Sequence, residues 1–234
     1  MPTRWYLHAS GSIACPNNPA YDAGWEQTAQ ATRLPMDQKT RLSAATTLAD
    51  WGTRTVPITT VQQVLGNQFT SNQIYLPVHL DTSVLFSMVI RGLESATTAN
   101  VFLAYVLRAF SAAGDRSLGT LSSSMTNAGT EFAATAATRI FGNGTTTVAL
   151  TDTVISEPWR LVIDIGGHDQ APTAATTYTF RTGCSAATDF ALTSALTTDL
   201  NPWIELSANL NATTFKNYQA IKVGDGMSAG DRIR

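Results

Sequence analysis

The most constraining feature of the sequence is an alternating run from residue 159 to residue 167. Its large apolar members would share one side of an extended chain: Trp159, Leu161, Ile163 and Ile165. The opposite side would carry Arg160, Val162 and Asp164. A period of two is typical of a half-buried strand, so this run predicts a central strand of a β-sheet.

A polar segment, Gly167-His168-Asp169-Gln170, follows this strand and is typical of a turn. After Pro172 comes a second run rich in β-forming residues, Thr176 to Thr182. We therefore expect the two runs to pair as a long antiparallel hairpin.

Other segments also predict strands. The runs Val84 to Ile90 and Val101 to Leu107 are apolar on both faces, which is typical of strands covered on both sides or of a pair of buried helices. Their β-branched and aromatic content favours strands. In the run Ile74 to Leu80, Pro77 indicates an edge strand or a bulge.

A second hairpin is indicated by Gly142-Asn143-Gly144, because both glycines and the asparagine tolerate positive φ. It would join the strands Thr138 to Phe141 and Thr145 to Leu150. Short strands that follow one another closely along the chain, with turns between them and no long helical pattern, predict an all-β fold. We expect an antiparallel two-sheet sandwich, jelly-roll-like, with extended N- and C-terminal arms.

Three regions follow from this pattern. Residues 1–55 form an N-terminal arm and irregular segment that begins with a short strand, because this part has few periodic apolar positions. Residues 56–206 form the β-sandwich domain, and residues 207–234 form a polar, glycine-containing C-terminal arm.

Composition narrows the classes of partner. Charged residues make up 14% of the chain, well below the roughly 25% of an average globular protein. Short hydroxyl and amide side chains take their place and suit docking against other proteins, since few long side chains must be ordered. A net charge of -2 argues against nucleic-acid binding, because the chain has no excess of positive charge to contact phosphates. We expect no membrane span, because no apolar run is long enough, and no Sec export.

No sequence motif for catalysis or cofactor binding is present, so we expect no catalytic, cofactor-binding or metal-binding residue and no enzyme activity. Asp164, His168 and Asp169 have metal-ligand side chains, but Asp and His are common in turns for local hydrogen bonding, and we favour that interpretation over a calcium or zinc site. Four glutamates could in principle supply a hydrolase pair: Glu94, Glu131, Glu157 and Glu205. Cys15 and Cys184 are expected to be reduced thiols.

Several aromatic residues lie in segments without a regular pattern, and we consider them a possible interface: Trp5, Tyr21, Trp25 and Trp51. Such side chains either attach a terminal segment to its own sandwich or anchor it in a neighbouring subunit. A platform on which sugars stack is a third alternative.

Three motifs resemble a largely uncharacterised family of tailed-bacteriophage virion β-sandwich proteins. They are Tyr21-Asp22-Ala23-Gly24-Trp25-Glu26-Gln27-Thr28, Arg160-Leu161-Val162-Ile163-Asp164-Ile165-Gly166 and Thr197-Thr198-Asp199-Leu200-Asn201-Pro202-Trp203-Ile204-Glu205. The resemblance covers most of the chain and assigns no role to any residue.

The resemblance implies a structural virion protein, either a head decoration (cement) protein or a tail-associated module. The leading hypothesis is a homo-oligomeric decoration protein, made in the host cytoplasm, that binds the major capsid protein and stabilises the head. The alternative is a glycan-binding module of a tail fibre or tail tip.

Overall fold

The computed structural model of the chain describes residues 2–8, 11–38, 49–56, 63–75, 77–95, 100–125, 131–132, 137–141, 148–169, 176–182 and 202–210. These residues form fourteen β-strands and no helix, so the prediction of an all-β fold is confirmed. No helix long and apolar enough to cross a membrane is found in this part of the chain.

The strands, numbered in chain order, are β1 (Thr3–Leu7), β2 (Thr32–Asp37), β3 (Ala49–Val56), β4 (Gln63–Ser71), β5 (Val78–Leu80), β6 (Leu85–Glu94), β7 (Val101–Ser111), β8 (Ser117–Ser124), β9 (Ala137–Phe141), β10 (Val148–Ala149), β11 (Thr153–Ile155), β12 (Trp159–Asp169), β13 (Thr176–Thr182) and β14 (Trp203–Leu206).

Twelve of these strands belong to one large sheet. Its order is β3-β13-β6-β14-β1-β2-β4-β12-β7-β8, and β9 and β10 also pair with β6. Strands β5 and β11 form a separate two-stranded sheet. Among the described strands β2 and β4 are parallel, whereas the other pairs are antiparallel. The large sheet is therefore mixed.

The large sheet folds over so that its two halves face each other across one core. The Tyr178 hydroxyl of β13 donates a hydrogen bond of 2.5 Å to the Val64 carbonyl of β4, five positions away in the strand order. The rings of Phe86 in β6 and Tyr105 in β7 lie 5.4 Å apart. The two layers of this sandwich-like fold thus come from a single continuous sheet.

The core is sealed by large side chains from strands far apart in sequence. Trp5, Trp159 and Trp203 are each at most 1% exposed. Burying one apolar side chain of this kind contributes about 1.5–3 kcal/mol. Trp5 and Trp159 belong to the same core cluster as Ile204 of β14, so the N-terminal, central and C-terminal strands share one core. Trp203 lies outside this cluster, with its ring 3.8 Å from the Arg4 guanidinium.

The central strand predicted from residues 159–167 is confirmed as β12, which pairs with β4 on one side and with β7 along its whole length. Trp159, Leu161, Ile163 and Ile165 face the core. The strand is buried at every position rather than half-buried, because its other face is covered as well.

The predicted hairpin between the runs at 159–167 and 176–182 is wrong. β13 pairs with β3 and β6 instead of β12. The expected turn at Gly167 is also wrong, since β12 continues to Asp169 with backbone pairing on both sides. Pairing with distant strands outweighs the local turn propensity of this polar segment.

The second predicted hairpin is also wrong. β9 and β10 do not pair with each other; both lie along β6. The segment Gly142-Asn143-Gly144 itself lies outside the described residues. In the run Ile74 to Leu80 the strand is confined to Val78–Leu80, after Pro77. The runs around residues 84–90 and 101–107 are confirmed as strands β6 and β7, and a helix pair is excluded.

The N-terminal region contributes to the large sheet. β1 lies between β14 and β2, and β2 lies next to β4, so the sheet extends beyond the expected sandwich of residues 56–206. Of the expected C-terminal arm, residues 211–234 lie outside the described residues.

Candidate functional site

The most elaborate polar arrangement in the described residues lies on the outer face of β4, β12 and β7. Residues 19–27, here called the strap, cross this face after leaving β1 and before entering β2. Because this face lacks the apolar density of the core, the strap is held mainly by hydrogen bonds and one indole ring.

Asp164 is the centre of the arrangement and is 0% exposed. Its carboxylate accepts hydrogen bonds from the Asp22 amide (3.0 Å) and the Trp25 indole N–H (3.2 Å), both in the strap. It also accepts bonds from the Gln68 side-chain amide of β4 (2.9 Å) and the Arg108 guanidinium of β7 (2.7 Å). Four donors on one acceptor-only group suit the ionised form of Asp164.

Two opposing effects act on this carboxyl. Burial raises the pKa of Asp164 above its usual value, because the charged form loses its hydration. The Arg108 guanidinium and the hydrogen bonds from Asp22, Gln68 and Trp25 act in the opposite direction. The site is therefore a buried ion pair whose charges are compensated by the strap as well as by the sheet.

The sheet side chains also hold the strap backbone. Arg108 donates a second bond to the Ala20 carbonyl (2.9 Å), and Gln68 contacts the same oxygen at 3.4 Å. Arg33 of β2 donates to the Pro19 carbonyl (3.3 Å) and lies 4.0 Å from the centre of the Tyr21 ring. Each strand under the strap thus supplies at least one polar anchor.

Trp25 supplies the apolar anchor. Trp25 is 6% exposed and packs in a small cluster with Leu65, Ala104 and Val106. The slot for the ring exists because residue 166 is glycine: a Cβ there would lie 2.6 Å from the Trp25 ring. Close approach of strap and strand thus requires Gly166.

The end of the strap meets the start of β4. The amides of Glu26 and Gln27 donate to the Gln63 carbonyl at 3.1 and 3.3 Å, and the Glu26 carboxylate accepts from the Gln63 amide at 3.0 Å. His168 is 3% exposed at this end, and burial lowers its pKa while the carboxylates of Asp169 and Glu26 oppose the shift. His168 is therefore held in the neutral form at neutral pH.

The possible interface residues occupy different surroundings. Trp5 lies in the core on β1, and Trp25 packs under the strap, so both attach their segments to the chain's own sheet. Tyr21 is partly buried beneath Arg33. Trp51 belongs to β3, and its side chain lies outside the described part of the structure.

The candidate hydrolase carboxylates lie in separate environments. Glu205 pairs with Arg4 at 2.9 Å, and Glu157 pairs with Arg116. Glu94 accepts a bond from the Val101 amide at 3.1 Å.

Glu131 is partly buried and precedes the core residue Phe132. Asp164, His168 and Asp169 lie in β12 rather than in a turn. Within the described ranges, no group of three or more His, Cys, Asp or Glu side chains is placed to hold a metal ion.

Sequence reasoning missed Arg108 and Gln68 as partners of Asp164. One signal was available: Arg108 and Asp164 are opposite charges, each with apolar neighbours on both sides in its strand. Charges in such positions are buried only when they are paired, so the two residues could have been expected to meet.

No family model matches the chain, and no curated protein matches it. Among solved structures, the infectious bursal disease virus VP2 subviral particle is similar at 9% identity and a TM-score of 0.19, over 74% of this chain and 48% of the other. The infectious bursal disease virus Gx strain structure gives 12% identity and a TM-score of 0.19, over 71% and 42%.

A CocE/NonD family hydrolase from Staphylococcus aureus gives 9% identity and a TM-score of 0.24, over 89% of this chain and 34% of the other. The chain spans less than half the length of each of these three proteins. At such low TM-scores the similarities carry no argument about function.

Proposed function

We propose that the protein is a structural component of a tailed-phage virion, namely a capsid decoration protein that binds the major capsid protein and stabilises the head. It acts as a homo-oligomer and not as an enzyme. The proposal combines the resemblance of the three sequence motifs with the construction of the strap.

The observation that carries the proposal is that the buried ion pair of Asp164 and Arg108 fastens a surface segment to the sheet. The four hydrogen-bond donors to the Asp164 carboxylate belong to the strap or to the sheet beneath it. The ion pair therefore attaches the strap to the sheet. A segment fixed in this way presents a surface of constant shape.

That surface suits docking on a protein lattice. Apart from Glu26, the exposed positions between residue 11 and the end of the strap carry short side chains without charge, among them Gly11, Ser12, Ala14, Asn17, Asn18, Ala20, Ala23 and Gly24. Because the backbone is already ordered and the side chains are short, docking costs little conformational entropy. A repeating lattice provides many identical contacts, so each contact can be modest.

The proposal is tested by mixing the purified protein with empty capsids of the phage that encodes it. We expect cosedimentation with the capsids and a higher temperature of capsid disruption. Ala23→Arg places a long charged side chain on the strap surface and should weaken binding. Thr82→Arg, in an exposed turn between β5 and β6, is the matched control and should bind normally. Capsids equally stable with and without the protein would contradict the proposal.

A further inference from the structure

A polar cleft lies between the start of β8 and the end of β11. It has a volume of about 240 Å³ and is lined by Arg116, Ser117, Leu118, Val154, Ser156 and Glu157, among others. This volume is just below the range of about 300–1,000 Å³ of sites for drug-sized ligands, so it suits one small ring.

The walls of this β8–β11 cleft are fixed by backbone pairing. β8 pairs with β7, and β11 pairs with β5. The two walls meet where the Thr151 amide donates to the Leu121 carbonyl at 2.7 Å. Gly119 of β8 also lies against Thr153 of β11, since a Cβ on this glycine would be 3.3 Å from the threonine methyl. The cleft is therefore preformed, which lowers the cost of ligand binding.

The chemistry of the cleft is balanced between donors and acceptors. Arg116 and Glu157 form an ion pair, and their side chains are 61% and 39% exposed. Arginine carries five N–H donors and a carboxylate has about four acceptor sites, so their mutual bond leaves further capacity. Ser117 and Ser156 lie on opposite walls. Because the two charges cancel, the cleft favours a neutral ligand that both donates and accepts hydrogen bonds.

The cleft is mostly polar and has a small apolar part. Leu118 packs against the core, and Val154 is 71% exposed, which is high for a large apolar side chain. Polyhydroxylated rings also combine polar and apolar surfaces, since their hydroxyl groups both donate and accept hydrogen bonds while their C–H faces are apolar. A charged ligand would have to compete with the existing ion pair.

We propose that the β8–β11 cleft binds one neutral sugar residue at the accessible end of a glycan. Arg116 and Glu157 together bind neighbouring hydroxyls, the serine hydroxyls add bonds from either wall, and Val154 contacts the apolar face of the ring. The site does not depend on the decoration role, because none of the residues that line the cleft is among those that hold the strap.

Saturation-transfer NMR on the full chain tests the proposal, with D-glucose, D-galactose, L-rhamnose and N-acetylglucosamine as separate probes at millimolar concentration. We expect transfer to at least one sugar, reduced about tenfold in affinity by Arg116→Ala and by Glu157→Gln. Ser156→Gln leaves the ion pair intact and fills the cleft, so it should also abolish transfer.

Asp152→Asn is the matched control. The side chains of Asp152 and His79 are exposed and lie 2.5 Å apart next to the same small sheet, and neither lines the cleft, so this variant should bind as the unmodified protein does. No transfer from any of the four sugars would overturn the proposal, and so would equal transfer in Ser156→Gln or an equal loss in Asp152→Asn. Capsid binding is a separate readout, so the two proposals fail independently.

Discussion

Two arginine–carboxylate pairs in this molecule have the same chemistry and opposite surroundings. The side chains of Arg108 and Asp164 are 5% and 0% exposed, whereas those of Arg116 and Glu157 are 61% and 39% exposed. Losing one partner of a buried pair costs about 3–5 kcal/mol, while an exposed pair contributes about 0–1 kcal/mol. The first pair is therefore suited to holding the fold together, and the second remains accessible to a ligand.

The largest effect is expected from Asp164→Ala. This change leaves the Arg108 guanidinium buried without its counter-charge and removes the acceptor of the Asp22 amide and the Trp25 indole. We expect the free energy of unfolding to fall by about 3–5 kcal/mol, measured by urea denaturation.

The double variant Asp164→Leu with Arg108→Met is the control for the buried charge. It removes both charges, so it should be more stable than Asp164→Ala alone. A loss of less than about 1 kcal/mol in Asp164→Ala would show that the buried pair is no stronger than a surface pair, and the comparison would fail.

A smaller effect is expected from Gly166→Ala. The added Cβ would meet the Val64 carbonyl and lie 2.6 Å from the Trp25 ring, so the ring must leave its slot. We expect a loss of about 1–3 kcal/mol together with faster hydrogen exchange at the Trp25 indole and the Asp22 amide.

Gly24→Ala is the matched control for this overpacking, because it lies in the strap itself but is exposed. Its Cβ would meet only the ends of the Asp22 and Met125 side chains, at 3.1 and 3.3 Å, and we expect a change within about 0.5 kcal/mol. Equal exchange rates in Gly166→Ala and the unmodified protein would contradict the expectation that the strap needs a glycine at this position.

The third prediction concerns how the free energy of unfolding depends on pH through His168. Burial lowers the pKa of His168 below its ordinary value of about 6.5, against the pull of Glu26 and Asp169. The neutral form thus stabilises the folded state; this contribution is complete above about pH 6.5 and is lost as the pH falls below it.

His168→Gln should remove this part of the pH dependence. Urea denaturation of both proteins at about pH 7.5 and about pH 5.5 measures the difference, which we expect to be smaller than the effect of Gly166→Ala. If the free energy of unfolding falls equally in both proteins between these two pH values, titratable groups other than His168 cause the pH dependence.

The sequence predicted the core strands because their signal is local. Alternation of apolar residues identified β12, and two-sided apolar runs identified β6 and β7. The partner of each strand was not predictable in the same way. β13 follows β12 in the chain yet pairs with β3 and β6, since pairing depends on which faces can be buried together and not on order.

The strap was less predictable still. Residues 19–27 have no periodicity, and their partner Asp164 lies 142 residues from Asp22. The sequence identified Trp25 as a possible interface residue and left open whether it attaches to its own sandwich or to a neighbour. Its slot over Gly166 depends on a close backbone approach that one-dimensional patterns do not encode. The isolated charges at Arg108 and Asp164 were the remaining local clue.

The smallest effect is expected at the exposed pair. Glu157→Gln keeps the shape of the side chain and removes its charge, so Arg116 is left in water rather than in the protein interior. We expect the free energy of unfolding to change by about 0–1 kcal/mol, measured under the same urea conditions as for Asp164→Ala. A loss as large as that of Asp164→Ala would mean that the Arg116–Glu157 pair is needed to hold the two sides of the β8–β11 cleft together. An unchanged free energy of unfolding would mean that folding does not require the Arg116–Glu157 pair. The pair is then available for ligand binding.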